Sequence, residues 1–220
     1  MRRLLPASLA VSIVSIAASG VLPAGAAPGR RGPTVVEFLT VRPGTLPPGF
    51  VTLTSADPEP GRWEVVRLGR YHALSQLAAG RHGYRLAVLE SPRLGNLRAG
   101  TRLRLGERGD RAAGLAWRVR DAGTYYAARL DLATHEFVLY KFVRGNRVRL
   151  DKLSGLRLEA DRWHELTVEH VGEHISVWLN GIPVADERDA ALADPGMVGF
   201  WLPGDSTAHF QRLWYEPVTE

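Results

Sequence analysis

The 220-residue chain predicts an all-β protein, an antiparallel sandwich of two sheets in jelly-roll order. Three observations predict it. Short segments of alternating apolar and polar residues recur with turn signals about every 8–12 residues, the spacing of sandwiches and jelly rolls. No stretch holds a helical period long enough to organise a fold. Gly (23) and Pro (14) are frequent but not periodic, so turns are many and collagen is excluded.

Taken in order, residues 35–40, 63–68, 84–89 and 101–105 are the strand candidates of the first half. Pro43, Pro47, Pro48, Pro58 and Pro60 mark loops between the first two. Residues 71–79 and 186–193 offer at most a turn or two of helix. In the second half, Leu115-Ala116-Trp117-Arg118-Val119-Arg120 alternates, Asp121-Ala122-Gly123 turns, and 124–130 resumes the extended pattern. Residues 136–143 follow, closed by Arg144-Gly145-Asn146, and 147–150 returns. Residues 163–171 and 174–179 flank the turn Gly172-Glu173. Asn180-Gly181 is a hairpin signal because both residues tolerate positive φ. Residues 182–184 return from it, and Pro183 places that strand at a sheet edge. Residues 196–202 and 209–215 complete the set.

The chain opens with Met1-Arg2-Arg3, an apolar run from Leu4 to Leu22, and Ala24-Gly25-Ala26. That order reads as a signal peptide over 1–26, cleaved on export from a bacterium. Pro6 and Ser8, Ser12, Ser15 and Ser19 make it a poor permanent anchor, so no membrane span is expected in the mature chain. Residues 27–34 form a Pro/Gly/Arg tether and 35–218 a single domain. A secreted or periplasmic protein is expected. Without Arg2 and Arg3, the 28 basic residues become 26 against 23 acidic, a balance of +3. Lysine occurs only at Lys141 and Lys152, an arginine skew that reflects genome composition, and nucleic acid is not an expected partner. Cys is 0, which removes disulfides, thiolate metal sites and a cysteine nucleophile together.

Period-two alternation assigns faces. Leu115, Trp117 and Val119 share one side, and Tyr126, Ala128 and Leu130 another. Val138, Tyr140 and Phe142 oppose Phe137, Leu139 and Lys141. With the apolar sets in the core, Arg118, Arg120, Tyr125, Arg129 and Lys141 fall on one exposed sheet face. Aromatic rings beside Arg and Lys suit a sugar, since the ring covers its C–H face and the cations bind hydroxyls or carboxylates. The plain alternative is a solvated face with arginine stems lying over their neighbours. Trp201 alternates with Phe200 and is placed outward as a further ligand-binding candidate. Trp163, Trp178 and Trp214 are expected in core or inter-sheet packing. His170 and His174 would suggest zinc on a helix, but a hairpin turn separates them. Arg108-Gly109-Asp110 is a short adhesion-like tripeptide of the kind that recurs by chance.

Nucleophile elbows, phosphate-binding glycine loops and dinucleotide fingerprints are absent. Glycoside hydrolysis needs two carboxylates about 5–5.5 Å apart in retaining enzymes. Glu165 and Glu169 share a strand side but stand about 13 Å apart by strand rise. A pair drawn from different strands, with Asp121 or Asp131 as one member, stays open.

Several segments carry a family resemblance. They are Gly114-Leu115-Ala116-Trp117-Arg118, then Asp121-Ala122-Gly123-Thr124-Tyr125-Tyr126 and Val138-Leu139-Tyr140-Lys141. Trp163-His164-Glu165-Leu166-Thr167-Val168 and Ile175-Ser176-Val177-Trp178-Leu179-Asn180-Gly181 follow. Gly196-Met197-Val198-Gly199-Phe200-Trp201 and Ala208-His209-Phe210 close the series. Over about residues 46–218 the chain resembles the concanavalin A-like lectin/glucanase superfamily. Within it, the nearest likeness is to secreted bacterial laminin-G-like and 3-keto-disaccharide hydrolase domains, the latter also labelled a domain of unknown function. The resemblance implies two curved antiparallel sheets with ligands held on the concave face. It also implies calcium as a cofactor, for which the loop carboxylates Asp121, Asp131 and Asp205, with Asp186, are candidate ligands. The E-x-D-x-E strand of the family 16 glycosidases is missing here.

The expected function is that of a non-catalytic carbohydrate-binding module, its partner an oligo- or polysaccharide. The alternatives are a glycosidase- or lyase-like enzyme acting on a modified disaccharide, and an envelope domain that binds other cell-envelope proteins.

Overall fold

The computed structural model describes residues 32–55, 61–77, 82–106, 109–160 and 162–219. Residues 1–26, read from the sequence as a signal peptide, and residues 27–31 of the expected tether lie outside them. Among the described residues there are two antiparallel sheets. The first, of eight strands, runs in space β13 (Ile182–Arg188), β12 (His174–Leu179), β11 (His164–Val171), β6 (Leu97–Leu105), β15 (Ala208–Pro217), β4 (Tyr71–Gln76) and β3 (Trp63–Leu68). A short β1 (Thr34–Glu37) pairs with the second half of β15. The second, of seven strands, runs β10 (Asn146–Ser154), β9 (Glu136–Val143), β8 (Thr124–Asp131), β7 (Ala112–Asp121), β14 (Gly196–Pro203), β5 (Tyr84–Leu94) and β2 (Phe50–Ser55). No helix of the described residues is long and apolar enough to cross a membrane.

The local rules explain most of this. β11 alternates buried and half-buried residues without a break, as a strand with one face on a core must. Asn180 and Gly181 adopt φ of 51° and 80° at the turn between β12 and β13. That edge strand carries Pro183, as expected. Between the sheets, Phe200 of β14 stacks on Phe210 of β15 at 4.2 Å. Trp117 of β7 donates from Nε1 to His170 Nδ1 of β11 at 2.9 Å, so the indole N–H is satisfied inside the core.

Several expectations are corrected. Residues 71–76 are a strand, not a helical turn, because tertiary pairing with β3 and β15 overrides a weak local pattern. Residues 50–55, read as loop between prolines, form β2. The 186–193 segment ends β13 and continues as irregular chain. The faces of β9 are inverted: Phe137 and Leu139 enter the inter-sheet core, while Val138, Tyr140 and Phe142 face outward. Both faces of β9 are apolar, so alternation could not choose between them. Val119 also changes sides, joining Ala116 rather than Trp117, because the register slips after Trp117 and Arg118 takes φ of 47°.

Candidate functional site

The outer face of the seven-stranded sheet has an apolar cluster of its own, which includes Leu86, Val88, Tyr125, Tyr140, Phe142 and Trp201. Its geometry shows how the sheet bends. Phe142 on β9 and Tyr84 on β5 lie four strands apart, yet their ring centroids are 4.9 Å apart. A flat sheet would hold such strands about 19 Å apart. The sheet is therefore curled deeply around its own aromatic rings, and this face is concave. Tyr125 stacks on Phe142 at 4.4 Å, Tyr84 stacks on Trp201 at 5.1 Å, and Trp201 Nε1 donates to the Tyr125 hydroxyl at 3.2 Å. Burial raises the Tyr125 pKa, so the hydroxyl stays neutral.

Arg147, from the edge strand β10, closes the hollow. Its Nη1 donates to the Tyr84 hydroxyl at 2.8 Å, and its guanidinium lies 5.0 Å from the Tyr140 ring centroid. A cleft of about 580 Å³ remains beside it, lined by Tyr84, Arg129, Arg147 and Trp201 with Asp110 and Asp205. Arg129 pairs with Asp131 and reaches the Tyr140 hydroxyl at 3.5 Å, but its buried Nε has no partner. Asp110 donates its backbone N–H to Asp205 Oδ1 at 3.3 Å. Burial, and then the charge of Asp205, holds the Asp110 carboxyl above the usual carboxylate range. The lining of the cleft thus offers guanidinium donors, carboxyl acceptors and a ring edge together.

Of the residues expected on one face, Tyr125, Arg129 and Trp201 come together here. Tyr125 and Trp201 form the packed floor and are fully buried, so their ring faces do not meet solvent. Arg118, Arg120 and Lys141 are elsewhere, which corrects the single-face expectation. Arg118 is buried and donates to three backbone carbonyls, Gly95 at 3.0 Å, Leu192 at 2.9 Å and Gly172 at 3.2 Å. It ties loops together at one end of the sandwich. Arg120 is exposed and pairs with Asp194 at 2.6 Å. Lys141 lies on the core side of β9 and pairs with Asp189. The residues missed by alternation are Tyr84, Arg147 and Asp110. The first two sit on strands whose face assignments were open, and Asp110 was visible only as part of a chance tripeptide.

The calcium expectation fares differently. Asp121 spends its Oδ1 on the Gly123 N–H at 2.7 Å, at the turn between β7 and β8. Asp131 sits at the opposite end of β8, paired with Arg129 and accepting from the Ala133 and Thr134 N–H groups. Asp205 accepts from Asp110, and Asp186 pairs with His174 at 2.5 Å on the other sheet. These carboxylates do not converge. Among the described residues no group of three His, Asp or Glu side chains could hold a metal ion. Calcium takes six or more oxygens around one point, and among the described residues these four carboxylates are not gathered into such a set.

No family model and no curated protein matches the sequence. Solved structures do match in shape. The carbohydrate binding module CBM66 from Bacillus subtilis superposes with a TM-score of 0.60 at 20% identity, over 74% of this chain and 92% of that one. Bacillus licheniformis β-glucanase gives 0.57 at 10% identity, over 86% and 99% of the two chains. The fold is concanavalin A-like. The exoplasmic/lumenal domain of VIP36, in its Ca²⁺/Man3GlcNAc-bound form, gives 0.57 at 11% identity over 80% of this chain and 86% of that one. The concanavalin A-like fold explains why a deeply curled sheet presents a hollow at all. It does not specify what the hollow holds, because the same scaffold carries different sites.

Proposed function

We propose that this is an exported carbohydrate-binding protein that takes a short neutral glycan into the cleft between Arg147, Arg129 and the Asp110–Asp205 pair. The observation that carries the reading is the mixture of charges around one hollow. Guanidinium N–H groups donate to sugar oxygens, carboxyl oxygens accept from sugar hydroxyls, and Tyr84 supplies an apolar edge. A net anionic or cationic ligand would meet a like charge in the lining. The volume of about 580 Å³ is within the range of small-ligand sites. Solved structures similar to this fold include a carbohydrate binding module and a domain bound to an oligosaccharide, which supports the same reading.

An enzymatic reading draws on one observation, the raised Asp110 beside Asp205. Asp205 accepts from the Asp110 backbone N–H and acts directly on its carboxyl, so the two sit side by side on one wall rather than across a bond to be cleaved, and binding is favoured over hydrolysis. The test is a glycan array with the mature chain, followed by calorimetry on the hits. Arg147→Ala and Asp205→Asn are each expected to weaken a neutral oligosaccharide at least tenfold without loss of fold. Binding that survives both, or turnover of the glycan lost in Asp110→Asn, would overturn it.

A further inference from the structure

The outer face of the eight-stranded sheet carries a second constellation. Alternation along β6 points Arg98, Gly100, Arg102 and Arg104 away from the core. The tryptophans expected inside are here instead. Trp163, at the entry to β11, Trp178 on β12 and Trp214 on β15 are all only half-buried. Trp214 lies flat across Gly100: a Cβ on Gly100 would come within 2.5 Å of the indole ring. A glycine inside a strand weakens it, and here it makes the bed for an indole. Arg98 lies 5.8 Å from that indole's ring centroid, and a depression of about 430 Å³ adjoins it, lined by Val35, Arg98, Arg212 and Glu216 among others.

Two residues further along β6 the chemistry changes. Tyr71 and Trp163 meet edge to face at 6.1 Å. Three guanidinium groups gather on these two rings. Arg70 lies 4.9 Å from the Tyr71 centroid, Arg102 lies 5.8 Å from Tyr71 and 5.6 Å from Trp163, and Arg104 lies 5.6 Å from Trp163. Among the described residues none of the three pairs with a carboxylate. Glu165 nearby is engaged by Arg212 at 2.8 Å, and Arg102 donates instead to Gln211 at 2.8 Å. Like charges held this close repel, and ring contacts recover only about 0.5–1 kcal/mol each at exposed sites. An anion is the missing complement. The field of the three is felt locally: hydrogen bonding by Arg70 lowers the Tyr71 pKa, and Arg104 adds to burial in depressing that of His209.

We propose that this face is a second glycan surface, taking an acidic polysaccharide whose anionic group sits on Arg70, Arg102 and Arg104 and whose neutral rings lie over Trp214. Gly100 and Arg104 are about 13 Å apart along the strand, a span for two to three sugar rings. A dense polyphosphate fits less well. Glu165, Glu169 and Glu216 punctuate the same face, where they would repel closely spaced phosphates but accept hydroxyl hydrogen bonds. The inference does not rest on the reading of the concave cleft, because it uses the other sheet and other residues.

Affinity electrophoresis of the full chain in gels holding polygalacturonate, its methyl ester, or poly(U) tests it. Retardation by polygalacturonate is expected, weakening as salt rises and falling at least fivefold with the methyl ester. The pair Arg102→Glu and Arg104→Glu should weaken it at least tenfold, and Trp214→Ala about threefold or more. The pair Arg93→Glu and Arg149→Glu, a charge-matched change at exposed positions of the other sheet, should leave it unchanged. Circular dichroism confirms the fold of each variant. Absence of retardation, insensitivity to the paired change, or poly(U) binding as tight as polygalacturonate at the same salt would each overturn the proposal. The last outcome would make the face a nucleic-acid or general polyanion site.

Discussion

The two sheets spend their aromatic residues in opposite ways. On the concave sheet Tyr125, Phe142 and Trp201 are packed on one another and fully covered, so the rim is left to charged groups and the edge of Tyr84. On the outer face of the other sheet Trp163 and Trp214 stay half-exposed with guanidinium groups against their rings. The difference lies in what covers the rings: in the concave hollow aromatic packs on aromatic, while on the outer face of the other sheet guanidinium groups and a glycine leave the rings part-exposed. Similar residue types therefore serve as structure on one sheet and remain available for contact on the other.

The sharpest way to break that comparison is to truncate one tryptophan from each sheet. Trp201→Ala should cost about 3–5 kcal/mol, since it empties a packed cluster and leaves the Tyr125 hydroxyl without its donor. Trp214→Ala should cost about 1 kcal/mol or less, because one face of the ring already meets water. Urea denaturation of the two variants measures the gap. Equal costs would mean that Trp214 is a structural residue and not a platform.

Acid sharpens it next. His170, buried in the core against Trp117, has its pKa pushed down to about 3 by burial and by the charge of Arg118. His209, hydrogen-bonded to Ser75 at 2.7 Å, is depressed to about 4 by burial and by Arg104. Both folded values lie below the unfolded value of about 6.5. Each histidine therefore contributes stability that is complete above pH 6.5 and lost as pH falls towards the folded value. Between pH 7 and pH 5 the loss is about 2 kcal/mol per histidine. Denaturation across that range should show the slope, and His209→Gln should reduce it. A flat profile in the parent protein would show that neither ring is held neutral.

Much of the fold was legible because its signals are local. Asn180-Gly181 fixes a hairpin wherever it falls, and the alternation of Phe200 and Trp201 placed them on opposite faces, as found. The site was less legible because its signals are relational. β9 is apolar on both faces, so period two says which residues travel together but not which way they point. Arg118 lost its face to a bulge that only the pairing of β7 with β8 reveals. Tyr84 and Arg147 meet only because the sheet curls, a property of the assembled sheet that neither strand carries by itself. The three outward tryptophans were read as core from their bulk, and the cue that would have moved Trp214 was a glycine on a neighbouring strand.

Two glycines give the finest test. Gly199 of β14 has backbone in the way: a Cβ there would come within 2.2 Å of the Ala87 carbonyl oxygen, and two paired strands cannot separate cheaply. Gly199→Ala should cost several times the 0.5–1 kcal/mol that alanine normally gains over glycine in a regular element. At Gly100 the obstacle is a side chain, the Trp214 indole at 2.5 Å. Gly100→Ala should change stability by no more than about 1 kcal/mol, since the gain in strand propensity offsets the cost of lifting the ring. Acrylamide should then quench Trp214 more readily, read as the fluorescence difference against a Trp214→Phe background. If Gly100→Ala is as costly as Gly199→Ala, the indole is clamped by the sheet, and a ring that cannot shift to meet a ligand would not be the platform proposed for it.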